Sequence, residues 1–383
     1  MADRTLDSAD GTPGKDSASL APPLDADPAG EDSSWRSLEE STPNLKNSPS
    51  ENTPRSEGGG TAYDGSPPPK FKDILTLDEL LDKLLRGDST EKCNAALSLQ
   101  FLSLNADKAL AILSSQPLLL RGLTEMLQSG DEQAQQNAAG AIAHLSVNQA
   151  AERAMAGEDG LLDALAELLA SPAMETRLEA AAALEALSFS PDTSKIVAFL
   201  PPVIPSLAIL LSDPEPRAKI RATGALQNLA TVPDAREAIA SEEGVLQGLA
   251  AVLWLEGESK GREDAAAALS NLAVSDGVRL RVARTPGVIS GLVELVVRGG
   301  DKARSDAAAA LGNLAVYAEA RGTILDVPGL MSGITSMIAS GEEKHAGEAA
   351  CCLQNLAVTS VGRKCALVGE YALFPALVAR LSR

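Results

Sequence analysis

The sequence predicts an all-α protein built as a solenoid, a stack of helical repeats rather than a globe around one core. Three observations carry that expectation: a nine-residue phrase that returns at a nearly fixed interval, the helix-forming residues that compose it, and the Pro/Gly breakers between its copies. The phrase reads AALSLQFLS, AAGAIAHLS, AAAALEALS, ATGALQNLA, AAAALSNLA, AAAALGNLA and AACCLQNLA. Its anchoring leucines are Leu102, Leu145, Leu187, Leu229, Leu272, Leu314 and Leu356, separated by 43, 42, 42, 43, 42 and 42 residues. A period in the low forties, carried by Ala and Leu, marks units of two or three helices that cannot bury their apolar faces alone and must stack. Alanine also lets neighbouring helices approach closely, and both residues favour helix.

The elements follow in order. FKDILTLDELLDKLLRGDST begins the periodic region, with Ile74, Leu75, Leu77, Leu80, Leu81, Leu84 and Leu85 at helical spacing. The plan of a later unit is clearest in PGVISGLVELVVRGGDKARSDAAAALGNLAVYAEARGTIL. Pro286 and Gly287 open an apolar helix over about 288–298, and Gly299 and Gly300 end it. A longer helix over about 302–317 carries the repeated phrase, a short one follows near 318–325, and Pro328-Gly329 restarts the plan. Pro201 to Pro205, Gly130, Gly244, Gly257 and Gly341 punctuate other units in the same way. The spacing therefore predicts three helices per unit, the first of them short.

Residues 1–70 have different physics. They are rich in Ser, Pro, Gly, Asp and Glu, show no sustained periodicity, and cannot bury enough apolar surface to offset chain entropy. The expectation is a disordered acidic tail on 1–70 and a solenoid on 71–383. The tail holds the pairs Thr12-Pro13, Thr42-Pro43, Ser48-Pro49, Thr53-Pro54 and Ser66-Pro67, which are candidate proline-directed phosphorylation sites or simply products of a Ser/Pro-rich composition. Trp35 and Leu38 in SSWRSLEES form its one amphipathic spot, a candidate docking motif.

Charge and composition narrow the partners. The formal net charge is −19. The first 70 residues carry 13 acidic and 6 basic side chains, which leaves −12 on the rest. Nucleic acid is disfavoured, because phosphate binding needs a basic stripe, and basic protein segments are the natural partners. Aromatic residues are only 3% of the chain, so binding would lean on polar and backbone contacts spread over a groove. Cys93, Cys351, Cys352 and Cys365 show no zinc-ligand spacing, and His144 and His345 are the sole histidines. No metal or other cofactor is expected. The chain begins MADRT, has no secretory apolar segment and no run of 18 apolar residues, and lacks a glycine at position 2. A soluble cytosolic or nuclear protein without a membrane anchor is the expectation. Phosphate loops, HExxH and GxSxG motifs are absent, and two histidines leave little material for acid–base work, so no catalytic residues are assigned.

GVISGLVEL followed eleven residues later by AAAALGNLA resembles the armadillo repeat, most of all the vacuolar-armadillo and plant armadillo type. The resemblance covers about residues 71–383, with a partial unit at YALFPALVARL. It implies a right-handed α-solenoid of about seven armadillo repeats. It also implies a concave groove lined by the third helix of each unit, where an asparagine grips the main chain of an extended partner. The matching positions are Asn228, Asn271, Asn313 and Asn355, each just before its anchoring leucine, with Phe101, His144 and Ala186 in that place in the first three units. A carboxamide offers both a donor and an acceptor, as an extended backbone requires, though it can equally bond its own helix or the neighbouring unit.

Seven residues earlier on the same face stand Arg221, Asp264, Asp306 and Glu348. These carboxylates would bias the groove toward basic partners, while Lys260, Lys302 and Lys344 four residues further back would partly neutralise them. Four before each asparagine are Gly224, Ala267, Ala309 and Cys351, where nuclear-import adaptors of this family carry tryptophan. That departure counts against conventional import. The expected function is a non-catalytic protein–protein scaffold that binds an extended or helical partner segment. A nuclear-transport or cargo adaptor and a purely architectural subunit are the alternatives.

Overall fold

The computed structural model describes residues 76–103, 112, 118–146, 149–340 and 343–358, together with 373, 375 and 378. All of them belong to the compact unit Pro69–Arg383. The expected tail on 1–70, with its Ser/Thr-Pro pairs and Trp35, lies outside the described residues. So do Cys365 and most of the partial C-terminal unit, of which Leu373 is described and buried.

The described residues are helical throughout and form a right-handed α-solenoid. Seven inner helices carry the repeated phrase: Ser89–Leu102, Glu132–Leu145, Met174–Leu187, Pro216–Leu229, Ser259–Ala273, Asp301–Ala315 and Glu343–Leu356, numbered here as units 1 to 7. Seven outer helices precede them: Leu77–Arg86, Leu118–Ser129, Leu161–Leu168, Val203–Ser212, Val245–Val252, Val288–Arg298 and Leu330–Ala339. Short helices open units 3 to 7: Gln149–Ala156, Pro191–Ala198, Arg236–Ser241, Asp276–Arg284 and Ala318–Leu325.

Local chemistry sets where each helix begins. Thr76 and Asp88 each accept from the backbone three residues on, while Glu79 and Glu91 reach back to the capping residue. In units 3, 5, 6 and 7 the chain turns from short to outer helix through a glycine in the left-handed region, with φ between 78° and 88° at Gly160, Gly244, Gly287 and Gly329. That turn sets the short helix of unit 7 at 90° to its outer helix. Unit 4 turns by 85° without such a glycine, using Pro201 and Pro202 instead.

The two rows of helices pack through different residues. Inner helices meet through small side chains such as Ala265, Ala266 and Ala268 against Ala307, Ala308 and Ala310, all fully buried. Outer helices meet through larger side chains such as Leu249, Leu292 and Ile334. Smaller spacers let the inner helices approach one another more closely than the outer helices do. One apolar core runs through all seven units.

An arginine fastens unit 4 to 5, 5 to 6 and 6 to 7. Arg236, Arg279 and Arg321, one per short helix, donate Nε to the carbonyls of Ala230, Ala273 and Ala315 at 2.5 to 2.9 Å. Their Nη2 groups reach the carbonyls of Thr231, Val274 and Val316 at 2.7 to 3.2 Å. These are C-terminal carbonyls that the inner helices cannot satisfy themselves. The same contact corrects one expected boundary. The inner helix of unit 6 stops at Ala315 rather than Tyr317, because Arg321 takes its last carbonyls and Tyr317 becomes the residue that starts the next short helix. In unit 3 the equivalent place holds Glu152, which is buried with Oε2 lacking a hydrogen-bond partner, and burial raises its pKa.

Candidate binding face

The inner face is built from residues that recur at one register. Asn228, Asn271, Asn313 and Asn355 sit half-buried near the ends of consecutive inner helices. Each donates Nδ2 to a backbone carbonyl of the preceding unit: Glu185 at 2.9 Å, Gln227 at 3.3 Å, Ser270 at 3.2 Å and Gly312 at 2.9 Å. The carboxamides therefore clamp neighbouring units, which was one of the two uses open from sequence. The clamp takes one N–H of each, and a carboxamide has a second N–H and an oxygen besides. Structural and binding roles are thus compatible at these four positions. In the earlier units His144 turns its Nδ1 to the Gly140 carbonyl of its own helix at 2.8 Å, and Phe101 is exposed.

Two turns back along the same helices lies a charged row in which the acids are buried more deeply than the bases. Asp264 is only 1% exposed and binds Lys260 at 2.8 Å. Asp306 is half-buried, its Oδ2 has no hydrogen-bond partner, and burial lifts its pKa to about 6 against the pull of Lys302 and Lys344. Burial also raises Glu348, which faces Lys344. Arg221 reaches back to Glu185 at 3.7 Å.

Glu185 and Glu179 are further acids of this face, on the inner helix of unit 3. Glu185 lies across Gly224, so that a side chain at 224 would run into its carboxylate, and burial pushes its pKa up to about 7. Glu179 stands seven residues before Ala186, in the acid row of a unit that has no asparagine, and burial raises it as well. The interval of seven was the signal for Glu179. Only the glycine in the next unit points to Glu185.

A further row borders the asparagines on the other side. Three residues beyond each register position stand Phe189, Val274, Val316 and Val358, exposed by 64%, 47%, 42% and 59%, with Thr231 taking the place in unit 4. Among the described residues, no three His, Cys, Asp or Glu side chains gather as a metal site requires, and no single helix is long and apolar enough to cross a membrane.

No family model matches the chain, and no curated protein matches it. Solved structures do. A crystal structure of an engineered protein from the Northeast Structural Genomics Consortium shares 25% identity over 80% of this chain and 81% of its own, with a TM-score of 0.66. A second engineered protein from the same consortium shares 27% identity over 62% of this chain and 96% of its own, with a TM-score of 0.56. A designed armadillo repeat protein in complex with the peptide (KR)4 shares 20% identity over 63% of this chain and all of its own, with a TM-score of 0.55. The fold is therefore of the armadillo repeat kind. The vacuolar and plant subtype finds no counterpart among these three.

Proposed function

We propose that the solenoid is a non-catalytic scaffold whose inner face holds an extended segment of another protein. The observation that carries this reading is the half-buried row Asn228, Asn271, Asn313 and Asn355, each fixed by one bond to the neighbouring unit. A carboxamide locked by its neighbour pays little ordering entropy when it meets a partner's main chain. The designed armadillo protein that shares the fold carries a peptide, which supports a peptide as the kind of partner. The basic bias expected from Asp264, Asp306 and Glu348 is reduced, because Lys260, Lys302 and Lys344 stand beside those acids. Residue roles on the face are Asn228, Asn271, Asn313 and Asn355 for main chain, with Arg221, Asp264, Asp306, Glu348 and His144 shaping the charge around it.

Affinity capture with mass spectrometry tests this, comparing the intact chain with Asn271→Ala/Asn313→Ala. Because those residues also tie units together, a core variant on the outer row, Leu246→Ala, serves as the control for lost stability. The expected result is loss of partners, by tenfold or more, from the asparagine variant alone, on the order of 1.4 kcal/mol. Partners kept by the asparagine variant would move the working surface to the outer helices and favour an architectural subunit.

A further inference from the structure

The short helices of units 3 to 7 present one position to the end of the inner helix before them. It is Arg236, Arg279 and Arg321 in units 5 to 7, Ser194 in unit 4 and Glu152 in unit 3. In units 5 to 7 the spot holds a positive charge, laid on carbonyls that carry the negative end of a helix dipole. Unit 4 manages without one, and Ser194 donates its hydroxyl to the Asn228 carbonyl at 3.0 Å. Unit 3 puts an acid there.

Glu152 is 1% exposed, and its Oε2 has no hydrogen-bond partner. A glutamate carries its carboxylate oxygens as many bonds from the backbone as an arginine carries Nε. Glu152 follows Ser146, the buried end of the unit 2 inner helix, by six residues, as Arg236 follows Ala230. Two acceptors thus share a register in which the later units set a donor on an acceptor. Ser190 approaches the carboxylate with its N–H and hydroxyl, and Ser188, two residues earlier, keeps a second buried hydroxyl without a partner. The base that acts on Glu152 is Arg153, which is turned out to Asp192 at 3.7 Å with 60% of its side chain exposed.

We infer that unit 3 binds an alkali-metal cation between the Glu152 carboxylate, the Ser146 carbonyl and the Ser190 hydroxyl, in the place that arginine fills in units 5 to 7. The charge balance sets the valence. A buried carboxylate calls for one compensating positive charge, and the other donors are neutral oxygens. Calcium draws on several carboxylates and magnesium keeps several waters, whereas this site has one acid and buried donors. The lack of a three-acid cluster among the described residues therefore bears on divalent ions and not on this site. Burial, which raises the Glu152 pKa, favours any positive occupant, and the competing one is a proton that lets the acid donate to the same carbonyl.

Thermal unfolding of the full chain at about pH 8, where ordinary carboxyl groups are ionised, separates the two. It would be followed in the chlorides of potassium, sodium and tetramethylammonium at one ionic strength, the last being too bulky for a buried site. A midpoint higher by roughly 2–4 °C in potassium or sodium is expected. Glu152→Gln and Glu152→Arg should each erase that difference, the first by removing the carboxylate and the second by bringing its own cation. Glu152→Arg restores the residue of units 5 to 7 and keeps the test open should Glu152→Gln fail to fold. Equal midpoints in all three salts would overturn the site, and a midpoint that then fell with rising pH only in the intact chain would assign the place to a proton. A salt difference that survives in a folded variant would overturn it as well, since the cation would then act elsewhere.

Discussion

Leu272→Ala is expected to lower the stability of the solenoid by roughly 2–5 kcal/mol, the range for emptying a fully buried leucine site. Leu272 is completely shielded, at the end of the unit 5 inner helix, with the inner helices of units 4 and 6 packed on its two sides. Units in a stack are coupled chiefly to their neighbours, so the damage should be regional. Amide hydrogen exchange should quicken across units 4 to 6 before it changes in units 1 and 2. A loss of protection spread evenly over all seven units would contradict nearest-neighbour coupling.

Raising the pH from about 5 to about 8 is expected to destabilise the protein, by roughly 1–3 kcal/mol from each of two carboxyl groups. Burial lifts Glu185 to about 7, opposed mainly by Arg221, and lifts Asp306 to about 6, opposed by Lys302 and Lys344. Glu263 and Asp264 reinforce the rise at Asp306, and Asp264 does so at Glu185. A carboxyl raised on folding favours the folded state fully when protonated, below its ordinary value. That contribution is lost as pH climbs through the raised value, here between about 6 and 7. Glu79 and Asp131 act in the opposite sense, since hydrogen bonds hold them below the usual carboxylate range, and their contribution is lost only in stronger acid. Urea midpoints measured across this range should fall with pH in the intact chain and flatten in Glu185→Gln and Asp306→Asn. Equal slopes in all three proteins would show that neither group carries the effect.

The helical plan was legible because burial repeats with the unit. The Ala/Leu phrase became the inner helix, and the stretches read as 288–298 and 318–325 became helices with those bounds. The misplaced end at Tyr317 shows what periodicity does not carry: a helix stops where its last carbonyls find other donors, and Arg321 comes from the next element. The asparagine register was legible as an interval, but its bond to the preceding unit depends on how closely Ala-lined helices approach. The acid row was legible by residue type alone. That Asp264 would be buried against Lys260 while Asp306 kept an oxygen unpartnered follows from packing between units, which no single repeat contains. The exposed apolar row is hidden in the sequence for a related reason. A valine after an Asn-Leu-Ala phrase reads as the last core residue of a helix, and only the turn that follows leaves it outside.

The central claim, that the inner face is where a partner is held, is most directly tested by hydrogen exchange on the intact chain with its most strongly captured partner. Slowed exchange is expected along the inner helices Ser259–Ala273, Asp301–Ala315 and Glu343–Leu356, centred on Asn271, Asn313 and Asn355. Slowed exchange confined to the outer helices Val245–Val252, Val288–Arg298 and Leu330–Ala339, with the inner row unchanged, would contradict it.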